Sequence, residues 1–443
     1  MIPIDSELII LLAMMAAFLL GNFLLKLPVS LSMALGAVTG MLTGIATGVI
    51  LDSVIQEQGF ALRHLFEGSF TYLDTMLIIA TAMIFMSFVQ ESGAMSALSS
   101  QIVTTFYKVP VVMLILLMFI VMFPSMVTGS STAAVLSAGA IVAPILIMIG
   151  VPRDKTGALI AIGSILGMAA PPVNVPALLI AGGVDMPYIG FEAPLFFILI
   201  PLAVFTVLFL ALKHCRSIDL EAIRGQLDTE NAKKYGFRLY IPLIVLVVLL
   251  VICRSFPNTL PNLGMPLSFL LAAIVAVFTG RRFNVLQVGR EAIKTTVPVL
   301  AKLVGVGMFI QILTLTGARG WIVVSCLGLS NILLYLAVCT VAPAFGAVSS
   351  YGSASVLGVP FLLALISIFP SNDQTVMAAA LSVIVCMGDL MPPTALAGNY
   401  AASLVELRYG KVFRYCIVPM IVSILFAFGV LYFAGASWLK FLA

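Results

Sequence analysis

Residues 167–176 read GMAAPPVNVP and lie inside a stretch that is otherwise apolar enough to cross a membrane. A related segment, GDLMPPTALA, follows at 388–397. Paired prolines remove two backbone N–H donors and keep the preceding residue out of helical geometry, so each segment predicts a break within a membrane helix. A break at membrane depth leaves unpaired backbone groups, which persist only where protein or a watery cavity encloses them.

The composition indicates the class of protein. Of the 443 residues, 62% are hydrophobic and 9% are charged, and the mean hydropathy is +1.20. Soluble domains carry about 25% charged residues, so the sequence predicts an all-α polytopic membrane protein. The net charge of +4 is too small to favour nucleic acid as a partner. Six scattered cysteines and two histidines offer no CxxC pair and no spacing typical of metal ligands.

Apolar runs of about 20 residues predict the spanning helices. Uninterrupted spans are predicted near 7–26, 28–51, 72–92, 194–213, 238–253, 267–279, 296–316 and 415–435. Two longer segments, about 156–183 and 375–403, contain the paired prolines and are predicted to be broken helices. Two others, about 109–150 and 321–369, are interrupted by Gly/Ser-rich turns and are predicted to be re-entrant hairpins.

Basic residues predict the orientation in the membrane. The segments 213–238 and 280–294 are both rich in lysine and arginine, so we expect them in the cytoplasm. If each hairpin leaves the membrane on the side from which it entered, 17 of the 22 basic residues lie inside. Both termini are then expected outside.

Several segments of the first half recur in the second. AMIFMSFVQESGA (82–94) resembles VGMFIQILTLTGA (306–318), and TGSSTAAVL (128–136) resembles YGSASVLGV (351–359). Together with the two Pro-Pro segments, these matches keep their order at offsets of 221 to 224 residues. A repeat of half the chain is therefore predicted.

The charge pattern places the starts of the two halves on opposite sides of the membrane, which predicts an inverted-topology repeat. The first copy covers 1–213 and the second 238–443, with a cytoplasmic linker at 214–237. Each copy is expected to hold five spanning helices, one of them broken at Pro-Pro, and one re-entrant hairpin.

The breaks and the hairpin tips carry the polar groups expected of a binding site. Carbonyls freed by the prolines are ligands for Na⁺, and half-helices that start after a break present N–H groups to an anion. Hydroxyl groups at the tips, from Ser130, Ser131 and Thr132 and from Ser349, Ser350 and Ser353, can cap a helix or bind a cation. The alternative is that the prolines only kink the helices and the small residues allow close packing.

Two charged residues lie at membrane depth. Asp389, within GDLMPP, is expected to be either a cation ligand or proton carrier, or a buried cap for nearby N–H groups. Lys302 is expected to face an anionic substrate, to extend to the cytoplasmic surface or to pair with a neighbouring group.

The chain also resembles the large membrane subunit of tripartite ATP-independent periplasmic (TRAP) transporters, within the ion transporter superfamily of elevator-type carriers. The residues that carry the resemblance are LPVSLSMALGAVTGMLTG (27–44), LRHLFEGSF (62–70), PSMVTGSSTAAVLSAGAIVAP (124–144) and GSILGMAAPPVNVPALLIAGG (163–183). The second half departs from the family pattern, because Asp389 and Thr394 stand in a break that is usually uncharged.

The resemblance implies Na⁺ sites and a substrate site at the tips and breaks. With the residues discussed above, the expected cation ligands are Gly129, Ser130, Ala170, Pro171, Asn174, Ser350, Gly352, Asp389, Met391 and Thr394. The expected substrate contacts are Ser130, Ser131, Thr132, Asn174, Ser353 and Thr394. The coupling ion is expected to be Na⁺, with H⁺ as the alternative, and no other cofactor is expected.

The implied function is cation-coupled import of a small carboxylate, such as a dicarboxylate or a sugar acid, across a bacterial or archaeal inner membrane. The implied partners are a small four-helix membrane subunit and a periplasmic binding protein. One alternative is a stand-alone carrier that needs no binding protein. Others are a passive channel and an intramembrane aspartyl protease, since CMGD (386–389) resembles a GxGD motif, although it lacks the first glycine and Asp74, near a span end, is a poor second acid.

Overall fold

The computed structural model describes residues 5–50, 62–214, 229–255 and 263–436. Within these ranges all regular structure is helical and no strand is present. In the described part of the chain, ten helices are long and apolar enough to cross a membrane, as judged by length and composition. The prediction of an all-α, multi-pass membrane protein is confirmed. Both chain ends and most of the predicted linker, residues 215–228, lie outside the described residues.

The first half combines long helices with shorter ones at its hairpin tip and its break. Its helices are α1 (Ser6–Leu19), α2 (Val29–Ala46), α3 (Leu62–Gly68), α4 (Leu73–Glu91), α5 (Ala94–Phe106), α6 (Pro110–Thr128), α7 (Ser131–Ala134), α8 (Ala140–Met148), α9 (Arg153–Met168), α10 (Val175–Gly183) and α11 (Glu192–Leu210). A π-helical turn at Leu20–Leu24 extends α1, and another at Val135–Gly139 joins α7 to α8.

The second half starts with a short helix that follows the linker. Its helices are α12 (Thr229–Tyr235), α13 (Ile241–Ser255), α14 (Gly264–Thr279), α15 (Val285–Leu315), α16 (Ala318–Leu327), α17 (Asn331–Gly346), α18 (Ser350–Ser353), α19 (Val359–Ile368), α20 (Gln374–Cys386), α21 (Leu396–Leu404) and α22 (Tyr409–Tyr432). A π-helical turn at Ala354–Gly358 joins α18 to α19, and a 3₁₀ turn at Met387–Leu390 extends α20.

The same elements follow one another in the two halves. The first hairpin (residues 110–148) and the second hairpin (331–368) each contain a long arm, a tip, a one-turn helix, a π-helical turn and a second arm. The first broken helix (153–183) and the second broken helix (374–404) follow, each interrupted at its Pro-Pro pair, and both Pro-Pro bonds are cis. The segments that match in sequence therefore adopt matching structures.

Helices α5 and α16 are not separate elements in the sequence reading. Each follows a glycine with a left-handed backbone, Gly93 at φ 85° and Gly317 at φ 72°, which reverses the chain after the preceding helix. The predicted second hairpin starts at 321, whereas the structure places this residue in α16 and begins the hairpin at Asn331. Hydropathy is nearly continuous across this region, so composition alone does not locate the boundary.

The helices pack as two bundles. The scaffold bundle consists of α1 to α4 and α13 to α15, in which α15 packs on α2 and α4, and α14 packs on α4. The site bundle consists of both hairpins, both broken helices, α11 and α22. Helices α5 and α16 contact both bundles. In α16, the indole N–H of Trp321 donates a hydrogen bond to the Asp5 carboxylate, and the guanidinium of Arg319 donates one to the Gly183 carbonyl.

Each hairpin packs its first arm closely against its own broken helix. A Cβ atom at Gly167 would overlap the backbone of Met122, and one at Gly388 would overlap the backbone of Gly346. Only glycine permits this approach without a shift of the helices. The two Pro-Pro breaks are thereby held beside the two hairpin tips.

Candidate functional site

The first hairpin tip turns at Gly129, which has a left-handed backbone with φ 66°. Ser130 caps the next helix, because its Oγ accepts a hydrogen bond from the Ala133 N–H at 3.4 Å and lies 3.0 Å from the Thr132 Oγ1. Ser131 starts that helix and is buried. The three predicted hydroxyl groups therefore lie together at one tip.

This tip packs directly on the first break. The Val173 N–H donates to the Met126 carbonyl at 3.1 Å, and a Cβ atom at Gly129 would overlap the side chain of Val175. The buried residues Ala170 and Pro171 lie at the same break. Among the described residues, nothing donates a hydrogen bond to the carbonyl oxygens of Ala170 and Pro171. These carbonyls are free in the way that the paired prolines predict.

Asn174 closes the first break and is fully buried. Its Oδ1 accepts the Ala177 N–H at 3.0 Å, which caps α10. Its Nδ2 donates to the Ala169 carbonyl at 2.7 Å and to the Ser382 Oγ at 2.9 Å. Both donors of the amide are thus occupied within the protein, and only the oxygen of this side chain has capacity left for a ligand. Ser382 lies on α20, so Asn174 also joins the two broken helices.

The second hairpin tip is built in a similar way. Ser349 caps α18, because its Oγ accepts the Gly352 N–H at 3.1 Å. Ser353 donates to the Ala342 carbonyl of its own hairpin at 2.6 Å, so its hydroxyl proton is used inside the protein. Gly352 lies against the end of the Met33 side chain, which comes from the scaffold bundle.

A buried tyrosine joins the two tips. The Tyr351 hydroxyl donates to the Gly129 carbonyl at 2.8 Å. This bond occupies one acceptor position of a carbonyl that the sequence reading assigns to a cation. Sequence reasoning missed Tyr351, although a tyrosine among small residues at a buried tip is itself a signal, because a buried phenol needs a hydrogen-bond partner.

Asp389 lies between the tips, in the 3₁₀ turn that follows α20. Its carboxyl group faces the hydroxyl and backbone N–H of Ser350 and the hydroxyl of Ser131. The position matches both readings of this residue, since the carboxyl group adjoins the start of α18 as a cap would and also lies among the predicted cation ligands.

The second break is more open than the first. The Thr394 hydroxyl donates to the Ala347 carbonyl, while Pro392 and Pro393 are exposed. Helix α21 follows Ala395, which has a left-handed backbone with φ 36°, and no side chain caps it. Within the described part of the chain, the carbonyl oxygens of Met391 and Pro392 accept no hydrogen bond.

Hydroxyl groups, free carbonyls and one carboxylate are the oxygen ligands that coordinate Na⁺ at interrupted membrane helices. The described residues contain no group of three or more His, Cys, Asp and Glu side chains that could hold a metal ion.

The aspartyl protease reading requires a second acid beside Asp389. Asp74 lies in the first turn of α4 and is exposed, and it is not among the groups that act on the Asp389 carboxyl group. The arrangement does not form a catalytic pair.

Residues 8–434 match the protein family described as "Tripartite ATP-independent periplasmic transporter, DctM component". No curated protein matches the chain in sequence. The family match covers nearly all of the 443 residues, including both hairpins and both broken helices. The resemblance drawn from the motifs is confirmed: the chain belongs to the DctM family, a membrane-spanning transporter component and not an enzyme family.

Proposed function

We propose that the chain is a cation-coupled secondary transporter that imports a small carboxylate, with Na⁺ as the coupling ion. The observation that carries the proposal is the meeting of both hairpin tips and both breaks around Asp389. Free carbonyls at Ala170, Pro171, Met391 and Pro392 lie beside these tips. Such groups supply cation ligands without a dedicated cluster of acids.

The proposed substrate site lies between the tips. Ser131 and Ser350 are the first residues of α7 and α18, and in these first turns the N–H groups of Thr132 and Tyr351 donate no hydrogen bond within the described part of the chain, so they remain for a carboxylate. Ser130, Thr132, Ser353 and Thr394 complete the proposed set of contacts. Because the Ser353 and Thr394 hydroxyls donate within the protein, these two are proposed to offer only their oxygen lone pairs.

An inverted-topology repeat supports this proposal. The matching order of helices in the two halves agrees with the sequence repeat, and the distribution of basic residues favours opposite orientations for the two copies. Both termini would then lie outside the inner membrane of a bacterium or archaeon.

An elevator movement is the mechanism that the packing favours. The proposed cation and substrate ligands all belong to the site bundle, while α2, α14 and α15 belong to the scaffold bundle. The site bundle would carry the substrate across as one body while the scaffold stays fixed. Helices α5 and α16, which contact both bundles, would bend or slide during the movement.

We propose that the partners are those of a tripartite system, namely a small four-helix membrane subunit and a periplasmic binding protein that delivers a dicarboxylate or a sugar acid. A stand-alone carrier is the alternative, favoured by the departures at Asp389 and Thr394. Uptake by the chain alone separates the two.

The deciding experiment measures uptake of labelled carboxylates into proteoliposomes under an inward Na⁺ gradient. It is repeated under a proton gradient, and with and without a candidate binding protein and small subunit. We expect uptake that requires the Na⁺ gradient and both partners. Uptake that is the same with and without both ion gradients would contradict coupling to a cation. Full uptake by the chain alone would favour the stand-alone carrier.

A further inference from the structure

Three helices of the site bundle bring their basic ends together. Helices α9, α11 and α22 pack on one another. The Lys155 ammonium, in the first turn of α9, lies 2.9 Å from the ring of His214, which follows α11, and 5.6 Å from the centroid of the Tyr415 ring near the start of α22. The described residues at these ends form a basic cluster in which two acids, Asp154 and Glu406, accompany the lysines and arginines Arg153, Lys155, Lys213, Arg408, Lys411 and Arg414.

Two cations of the basic cluster lack an acidic partner. Glu406 pairs with Arg153 at 2.7 Å, whereas no carboxylate of the described residues lies within 4.0 Å of the charged groups of Lys155 and Arg414. Their partners are neutral instead. The Lys155 ammonium donates to the His214 Nε2, and the Arg414 guanidinium donates to the Tyr415 hydroxyl at 3.2 Å. The positive charge of both groups is therefore left for an anion from outside the described chain.

One aromatic ring positions both of these cations. The Lys155 ammonium and the Arg414 guanidinium lie 5.6 and 4.9 Å from the centroid of the Tyr415 ring, within the range of cation–π contacts. Like charges gathered around one ring repel each other, and an anion bound beside them removes this repulsion. Each group uses one donor in the bonds above, so most of the N–H donors of both remain for a ligand.

The face of α22 that carries Arg414 continues as an exposed apolar surface. Val418, Ile421 and Leu425 follow Arg414 at the spacing of one helix face, and their side chains are 43, 47 and 58% exposed. The helix rises about 16 Å from Arg414 to Leu425, which is about half of the hydrocarbon thickness of a bilayer. This face therefore presents a cation at one end and apolar contact for an acyl chain along the depth of one leaflet.

We propose that the basic cluster binds the headgroup of an anionic phospholipid, with its phosphate on Lys155 and Arg414 and an acyl chain along the exposed face of α22. Ammonium and guanidinium groups both bind phosphate oxygens through charge-assisted hydrogen bonds. The apolar face favours a lipid over a free anion, because a free anion makes no contact there. The site is separate from the hairpin tips and breaks, and its existence does not depend on the substrate or the coupling ion.

The test measures the Tm of the purified full-length chain in detergent micelles as phosphatidylglycerol is added. Phosphatidylcholine, which has a phosphate but no net charge, is the comparison lipid. We expect a saturable rise in Tm that is larger with phosphatidylglycerol. Lys155→Gln and Arg414→Gln are each expected to raise the half-saturating mole fraction of phosphatidylglycerol about 5-fold, because each removes one charge that attracts the lipid. Arg414→Lys keeps the charge and should stay within about 2-fold of the wild type.

Two controls separate this site from a general effect of charge. Lys294→Gln removes an exposed lysine outside the cluster, which already pairs with Glu291 at 2.8 Å, and should leave the half-saturating mole fraction within about 2-fold. Inorganic phosphate at millimolar concentration supplies the same anion without an acyl chain and should leave the Tm unchanged. The Tm of each variant without lipid reports folding separately. If Lys155→Gln folds poorly, Arg414→Gln still decides, because Arg414 is exposed.

Equal responses of the wild type to the two lipids would overturn the inference, as would a phosphatidylglycerol response that is unchanged in the cluster variants or equally weakened in Lys294→Gln. A rise in Tm with inorganic phosphate that the cluster variants abolish would show a site for a free anion and would contradict a lipid site. Uptake into proteoliposomes is scored separately. Its loss of gradient dependence contradicts the proposed function, whereas the lipid titration alone decides the role of the basic cluster.

Discussion

The two Pro-Pro breaks have the same place in each half, yet they differ in how their polar groups are satisfied. The first is closed by Asn174, which is buried and makes three hydrogen bonds. The second has no cap for the helix that follows it, exposes Pro392 and Pro393, and contains the carboxyl group of Asp389. The first break is thus held by hydrogen bonds within the protein, and the second, which is less constrained, is where we expect the proposed cation to change local structure.

The largest expected effect is that of Asn174→Ala. The substitution removes a cap and leaves the Ala177 N–H and the Ala169 carbonyl buried without partners, so we expect it to lower the free energy of unfolding by about 2 to 4 kcal/mol. Thermal and denaturant unfolding in detergent measure this change. Asn284→Ala is the matched control, since Asn284 caps α15 at an exposed position and should cost at most about 1 kcal/mol. Equal costs at the two positions would contradict a special role for the first break.

A second prediction concerns the close packing of each hairpin's first arm on its own broken helix, which occurs in both halves. Gly167→Ala and Gly388→Ala each place a methyl group against the backbone of a hairpin arm, so we expect each to lower stability by about 1 to 3 kcal/mol. Gly182→Ala is the control, because a Cβ atom there meets nothing within 4 Å. Unfolding measurements that find only one of the two glycines sensitive would show that the hairpins pack differently in the two halves.

Tyr351→Phe tests the link between the tips. The variant loses the hydrogen bond to the Gly129 carbonyl and keeps the ring, so we expect a loss of about 0.5 to 1.5 kcal/mol of stability. The freed carbonyl also becomes available to a cation, so the apparent Kd for Na⁺ should not rise. A Na⁺ titration of Tm checks both points, and a clear rise in Kd would show that the phenol supports the cation site.

The smallest effect on stability is expected for Thr394→Ala. Its hydroxyl bonds to the Ala347 carbonyl beside exposed prolines, where water can replace it, so the loss should stay below about 1 kcal/mol. Thr394→Ser retains the hydroxyl and should behave as the wild type in unfolding and in Na⁺ titration. A loss as large as that of Asn174→Ala would remove the distinction between the two breaks.

The positions of the breaks and tips could be predicted from the sequence because they depend on backbone chemistry. Paired prolines cannot continue a helix, and Gly129 and Ser130 are typical of a turn followed by a capped helix. Those rules act over a few residues, so the local pattern contains the necessary information. The free carbonyls at Ala170 and Pro171 follow from the same rules.

The sequence could not show which side chains meet across the two halves. The bonds from Asn174 to Ser382 and from Tyr351 to Gly129 join residues more than 200 positions apart, and only packing determines them. The start of α15 could likewise not be predicted from hydropathy. Its polar first turns, starting after Asn284, are helical although their hydropathy does not mark a span.

The bond between Asn174 and Ser382 has a consequence for the shape of a binding curve. The bond joins the first break to α20 of the second broken helix. A displacement at one break therefore changes the structure at the other. If each half takes up one cation, occupancy of the first changes the free energy of occupancy of the second. Titration curves of the wild type should then depart from a single hyperbola, and in Ser382→Ala the Hill coefficient should move towards one.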